Sequence, residues 1–192
     1  MNSVSLKLEP LLHLTRTQFY QLCQENPDFQ LERAADGTLV IMPPTGGETG
    51  KRNSQINLQL GLWNEETQLG EVFDSSTGFS LPNGSDRSPD ASWVEKSRWE
   101  ALSCEDREKF IPLCPDFVVE IISPSDSVKK AREKMREYQA NGCRLGWLIN
   151  RKNQEVEIYR IGTEVEVLRC PEMLLGEDVL PGFILKLNKI FN

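Results

Sequence analysis

Histidine is nearly missing from this chain: His13 is the only one, and it lies in an N-terminal segment ahead of any recognisable site. Histidine-dependent triads and multi-histidine metal centres are thereby excluded, and any catalysis falls to carboxylates and lysine. The five cysteines, Cys23, Cys104, Cys114, Cys143 and Cys170, are odd in number and form no Cys-x-x-Cys pair. They read as reduced core or surface thiols rather than a zinc or redox site. No run approaches the roughly 18 apolar residues of a membrane helix, and residues 1–10 lack the apolar region of a signal peptide. A cytoplasmic protein without a membrane partner is expected. Excess positive charge is missing too: the net charge of −7 opposes indiscriminate binding to nucleic acid, which phosphate neutralisation drives. A nucleic-acid substrate would need a local basic surface.

What is present is ordinary for a folded protein. The 192 residues suffice for a sizeable core yet fall short of the length at which chains usually divide, so 1–192 reads as one domain. Thr15 can cap a first helix that Asn26-Pro27 ends, and Asp36-Gly37 suits the turn of a hairpin with strands near 29–33 and 38–42. A long helical pattern over 47–68 carries Ile56, Leu60 and Trp63 on one side, with Gly70 available past its end and Glu48 at its start. Extended segments follow near 71–74, 78–81 and 90–94, and Ser97-Arg-Trp-Glu100 reads as a capping box.

The run 117–122 is almost continuously apolar, as befits a central strand covered on both faces. Ser123-Pro-Ser-Asp-Ser127 leads into a helix with Val128, Ala131, Met135 and Tyr138 on one face, and 145–149 is a further apolar strand. Strand, helix and strand in that order predict a right-handed crossover between parallel strands, hence a mixed α/β core. A hairpin over 155–160 and 164–169 follows, in which Glu155, Glu157, Glu164 and Glu166 read as a solvated face.

Glu120 interrupts the apolar run Phe-Val-Val-Glu-Ile-Ile, where an unpaired carboxylate would be costly to desolvate. Either a basic side chain or a divalent cation shared with a second acid would compensate it. Asp90 is the candidate second acid: it opens an extended segment 30 residues earlier, enough chain for both to meet on adjacent strands. The helix after Glu120 carries Lys129, Lys130, Arg132, Lys134 and Arg136, a local basic surface in an acidic protein. Lys134 lies between Ala131 and Met135, so its stem can run along the sheet while the ammonium reaches the mouth of the site.

Pro89-Asp90, then Pro115-Asp116-Phe-Val-Val-Glu120-Ile-Ile-Ser123-Pro-Ser, then Glu133-Lys134-x-x-x-Tyr138, Asn141-Gly142 and Gly146-Trp147-Leu-Ile together resemble the Uma-type family of restriction-endonuclease-like proteins, within the PD-(D/E)xK nuclease superfamily. The resemblance spans about 15–183 and is most specific over 115–149. It implies a restriction-endonuclease-like mixed β-sheet flanked by α-helices, with peripheral antiparallel hairpins. It further implies Mg²⁺, with Mn²⁺ as a substitute, ligated by Asp90 and Glu120, with Glu48 as an additional helical acid. The sequence departs from the superfamily pattern at Ile122, which stands where a lysine is usual, and Lys134 is the replacement the resemblance offers. The leading expectation is a metal-dependent endonuclease acting on DNA, with a homodimer expected by analogy. The rivals are a catalytically silent nuclease-fold interaction or scaffold module, and a nucleic-acid binder that uses the basic helix without cleaving.

Overall fold

The computed structural model describes residues 3–123 and 126–191. Strand β1 (Val4–Leu6) precedes helix α1 (Arg16–Glu25), which Thr15 caps in a full capping box with Gln18. The hairpin β2 (Gln30–Arg33) and β3 (Leu39–Met42) turns through Gly37, whose φ of 77° only glycine adopts cheaply. Helix α2 (Gly47–Thr67) follows, then β4 (Gly70–Asp74), β5 (Phe79–Ser80), β6 (Asp86–Arg87) and β7 (Ala91–Glu95). Two short helices, α3 (Lys96–Glu100) and α4 (Cys104–Arg107), lead to β8 (Phe117–Ile121), α5 (Val128–Ala140) and β9 (Leu145–Asn150). The chain closes with β10 (Glu155–Arg160), β11 (Glu166–Arg169), β12 (Met173–Leu175), β13 (Ile184–Lys186) and α6 (Asn188–Phe191).

The main sheet has the order β11-β10-β9-β8-β7-β4, with β8 and β9 parallel and the other pairs antiparallel. Parallel β8 and β9 are therefore joined through α5 as expected, with β8 in the interior of the sheet. Both faces are covered. Ile56, Leu60 and Trp63 of α2 pack with Phe117, Val119, Ile121 and Trp147 on one side, while Met135 and Tyr138 of α5 pack with Val118, Leu148 and Tyr159 on the other. A second sheet, β1-β3-β2-β6-β5, and the ribbon β12-β13 supply the peripheral antiparallel pairs of a restriction-endonuclease-like α/β fold.

Local expectations are corrected at four places. Helix α2 ends with Gln68 in the left-handed region at φ 55°, not at Gly70. Gly70 is required for another reason: a Cβ there would collide with the Val94 carbonyl and the Trp93 ring. Ser97 does not cap α3; Glu95 holds that position without a side-chain bond, and Ser97 Oγ donates to Glu95 Oε1 at 2.9 Å. Glu157 is not on a solvated face but 7% exposed, accepting from Arg132 Nε at 2.8 Å and from the Tyr159 hydroxyl at 2.7 Å. α5 covers that side of β10, which alternation alone does not reveal. Finally, β6 adds a strand between the extended segments expected at 78–81 and 90–94. Pro124 and Ser125, which belong to the expected connection into α5 and to the resembling motif, lie outside the described residues.

Candidate active site

Alternation along β8 decides where Glu120 points. Phe117, Val119 and Ile121 join the core under α2 and Val118 the core under α5, so Glu120 shares the α5 side with Val118. Glu120 Oε1 there accepts from Lys134 Nζ at 2.7 Å and from the Tyr138 hydroxyl at 3.0 Å. Lys134 and Tyr138 are four residues apart, on one face of the helix. Burial pushes the Glu120 carboxyl up to about 7; Lys134 opposes that rise, and Asp90 and Glu32 add to it.

Asp90 directly precedes β7, whose register pairs Ala91 with Val119, so positions 90 and 120 come opposite each other. Asp90 Oδ2 accepts the backbone N–H of Ile121 at 2.7 Å, and Oδ1 accepts from Asn53 Nδ2 at 2.8 Å. Burial raises the Asp90 pKa against the pull of the Ile121 amide, Lys134 and Asn53. One turn along α2 from Asn53, Asn57 Nδ2 donates to the Asp90 carbonyl at 3.1 Å. The helix thus holds Asp90 by side chain and backbone together.

Lys134 Nζ lies 2.7 Å from Glu120 Oε1 and 2.8 Å from Oε1 of Glu32, and its side chain is 17% exposed. Burial disfavours the ammonium, yet the two carboxylates outweigh it and raise the pKa. Glu32 also accepts from the Ser88 amide at 2.9 Å and from Arg87 Nη1 at 3.1 Å. Burial opposes its ionisation, but Lys134 and Arg87 prevail and hold its pKa below the usual value. Arg87 in turn pairs with Glu137 of α5, Nε to Oε2 at 2.5 Å. The ionised cluster therefore sets four carboxylates (Glu32, Asp90, Glu120, Glu137) against two cations (Arg87, Lys134).

Of the residues singled out in the sequence, Asp90, Glu120 and Lys134 come together. Glu48 does not join them: it is 66% exposed and accepts from Arg52 Nη2 at 2.5 Å, a bond that, with Lys51 nearby, lowers its pKa. Ile122 packs against the core under α5. The basic face of α5 is narrower than its sequence suggests, because Lys134 turns inward and Arg132 pairs with Glu157 at 2.7 Å, while Lys129, Lys130 and Arg136 remain exposed. Glu32 and Asn53 were not legible as site residues. Glu32 lies in Gln-Leu-Glu-Arg, an ordinary half-exposed strand, and Asn53 lies on a largely polar helix turn.

Among the described residues no group of three or more histidine, cysteine, aspartate or glutamate side chains gathers as a metal site. Mg²⁺ does not need one, since it usually takes one or two carboxylates and fills its shell with water and substrate oxygens. The donors present fit that habit. Two acids come opposite each other in a cluster whose carboxylates, when ionised, outnumber its cations by two, and Asn53 Oδ1 is buried beside Asp90 without a hydrogen-bond partner.

The layered sheet, its crossover and the acids at the junction of β7 and β8 define a protein of restriction-endonuclease-like fold. The chain belongs to the Uma2 family, described as "Putative restriction endonuclease", whose model matches residues 16–188. Among solved structures it is similar to a chain described as a "putative nuclease belonging to DUF820" from Anabaena variabilis ATCC 29413. The TM-score is 0.77 and the identity 21%, over 93% of this chain and 97% of that one. No curated protein sequence matches.

Proposed function

We propose that this chain is a metal-dependent endonuclease that hydrolyses DNA phosphodiester bonds, with Asp90 and Glu120 as the ligands of Mg²⁺ and Lys134 as the cationic partner of the phosphate. The observation that carries the reading is the convergence of these three side chains, from separate elements, in one buried cluster. Mg²⁺, when bound, would polarise the scissile phosphate and lower the pKa of a water. Asp90, fixed by Asn53 and the Ile121 amide, holds its carboxylate in one orientation. Glu120 uses Oε1 for Lys134 and Tyr138, which orients its second oxygen. Lys134 places a positive charge where negative charge develops on the phosphate oxygens.

The rival reading, a catalytically silent module, draws on Ile122, which occupies the usual lysine position with a partly buried apolar side chain packed against the core. Plasmid DNA incubated with Mg²⁺ or Mn²⁺ separates the two. Nicking or linearisation by the wild type that is lost in Glu120→Ala, purified identically, supports the enzyme. Equal activity in both preparations, or none in either, supports the silent module. RNA of matched sequence, run in parallel, tests the choice of DNA.

A further inference from the structure

The lysine of this site has a second carboxylate partner that the metal chemistry does not require. We propose that Glu32 is a positioning residue, a permanent counter-ion that keeps Lys134 in the site once Glu120 turns its charge to a cation. The inference rests on the nuclease reading of the same cluster.

The backbone of β2 aims Glu32 there. The adjacent Arg33 points to the opposite face, where its Nε and Nη2 reach Asp86 Oδ2 at 2.8 and 2.7 Å and its guanidinium also donates to the Leu14 carbonyl. Arg33 and Asp86 are paired in register between β2 and β6, both 5% exposed or less. That buried clamp fixes the register, and a slip by one residue would turn Glu32 away from the site. Glu32 then binds in three directions: Lys134 from α5, the Ser88 amide just before Pro89-Asp90, and Arg87 of β6. Arg87 returns to α5 through Glu137, so the ring of charges closes across β2, β6 and α5. The same ring braces the segment that delivers Asp90.

Glu120 and Glu32 hold the ammonium almost equally, at 2.7 and 2.8 Å. A divalent ion on Glu120 removes one of those attractions and adds a repulsion. With Glu32 in place Lys134 still has a buried counter-ion; without it the ammonium gains by leaving for water. A purely structural ion pair would instead matter equally with and without the ion.

That difference defines the experiment, which reads Lys134 by mass spectrometry after pulse labelling with an amine-directed reagent, in the presence and absence of saturating Mn²⁺. Wild type is expected to protect Lys134 in both conditions. Glu32→Gln, which keeps an acceptor oxygen but removes the charge, is expected to protect it without Mn²⁺ and to label about tenfold faster with it, the order of factor expected when an ionised hydrogen-bond partner becomes neutral. The cleavage rate kcat should fall by a similar factor with KM little changed, and Glu32→Asp, which keeps the charge, should recover part of both. If Glu32→Gln cannot be purified folded, Glu32→Asp carries the test, with the same Mn²⁺-dependent gain in labelling at smaller amplitude. Labelling that is unchanged, or raised equally with and without Mn²⁺, overturns the positioning role alone. A wild type whose melting temperature ignores Mn²⁺ overturns the nuclease reading and the proposal with it.

Discussion

Glu120 illustrates what one carboxyl costs when strand alternation turns it inward. A glutamate ordinarily titrates near 4.5, and burial moves this one up to about 7 in the folded protein. Between those values the folded chain retains a proton that the unfolded chain has released. Stability conferred by the neutral carboxyl is thus fully present below about 4.5 and is lost as pH rises to about 7, beyond which the penalty is constant. Cation-free wild type should therefore lose stability relative to Glu120→Gln across this window, and urea unfolding at several pH values from 4.5 to 8 measures it. Parallel pH profiles for the two proteins would show that Glu120 titrates in the folded state as it does in water.

At the scale of elements, α5 does what the strand does not, because Ile122 is committed to the core and the lysine arrives from the helix. Lys134→Ala would leave Glu120 and Glu32 facing each other without their shared cation. Breaking a buried pair from one side costs about 3–5 kcal/mol, and the lower end is expected here because the side chain is 17% exposed. Exposed Lys130→Ala and Arg136→Ala should stay within about 0.5 kcal/mol. Denaturant unfolding checks the contrast, and Lys134→Met combined with Glu120→Gln should regain much of the loss. Near-equal values for all three single variants would return Lys134 to the solvated face. Much of this arrangement was legible beforehand: the apolar run marks β8 as interior, Ser127 and Asn141-Gly142 bound α5, and Lys134 lies at the spacing that turns it toward the sheet. Glu32, Asn53 and Glu157 were not, for one physical reason. Alternation shows that a strand has two faces, and helical periodicity that a helix has several, but which face is covered depends on elements far away in sequence, here β6, α5 and the loop before β7.

At the scale of the molecule, the cluster gathers side chains from position 32 to position 138, so it exists only when the distant elements that carry them are folded together. A cation that binds there binds the folded state selectively and stabilises it by mass action. At a free concentration of one hundred times Kd the gain is about 2.7 kcal/mol. For a chain of this length each kcal/mol is worth about 2–4 °C, so Mn²⁺ should raise Tm by about 5–10 °C. The acidic surface complicates the measurement, because a net charge of −7 lets any salt stabilise the chain through screening. NaCl at matched ionic strength therefore sets the baseline. Asp90→Asn supplies the second control: it keeps an oxygen to accept one of the hydrogen bonds that Asp90 takes from Asn53 and Ile121, but lacks the charge. Its Mn²⁺ response above the NaCl baseline should fall to near zero while its metal-free Tm stays within a few degrees of wild type. A response as large as that of wild type would place the cation elsewhere on the acidic surface and remove Asp90 from its shell.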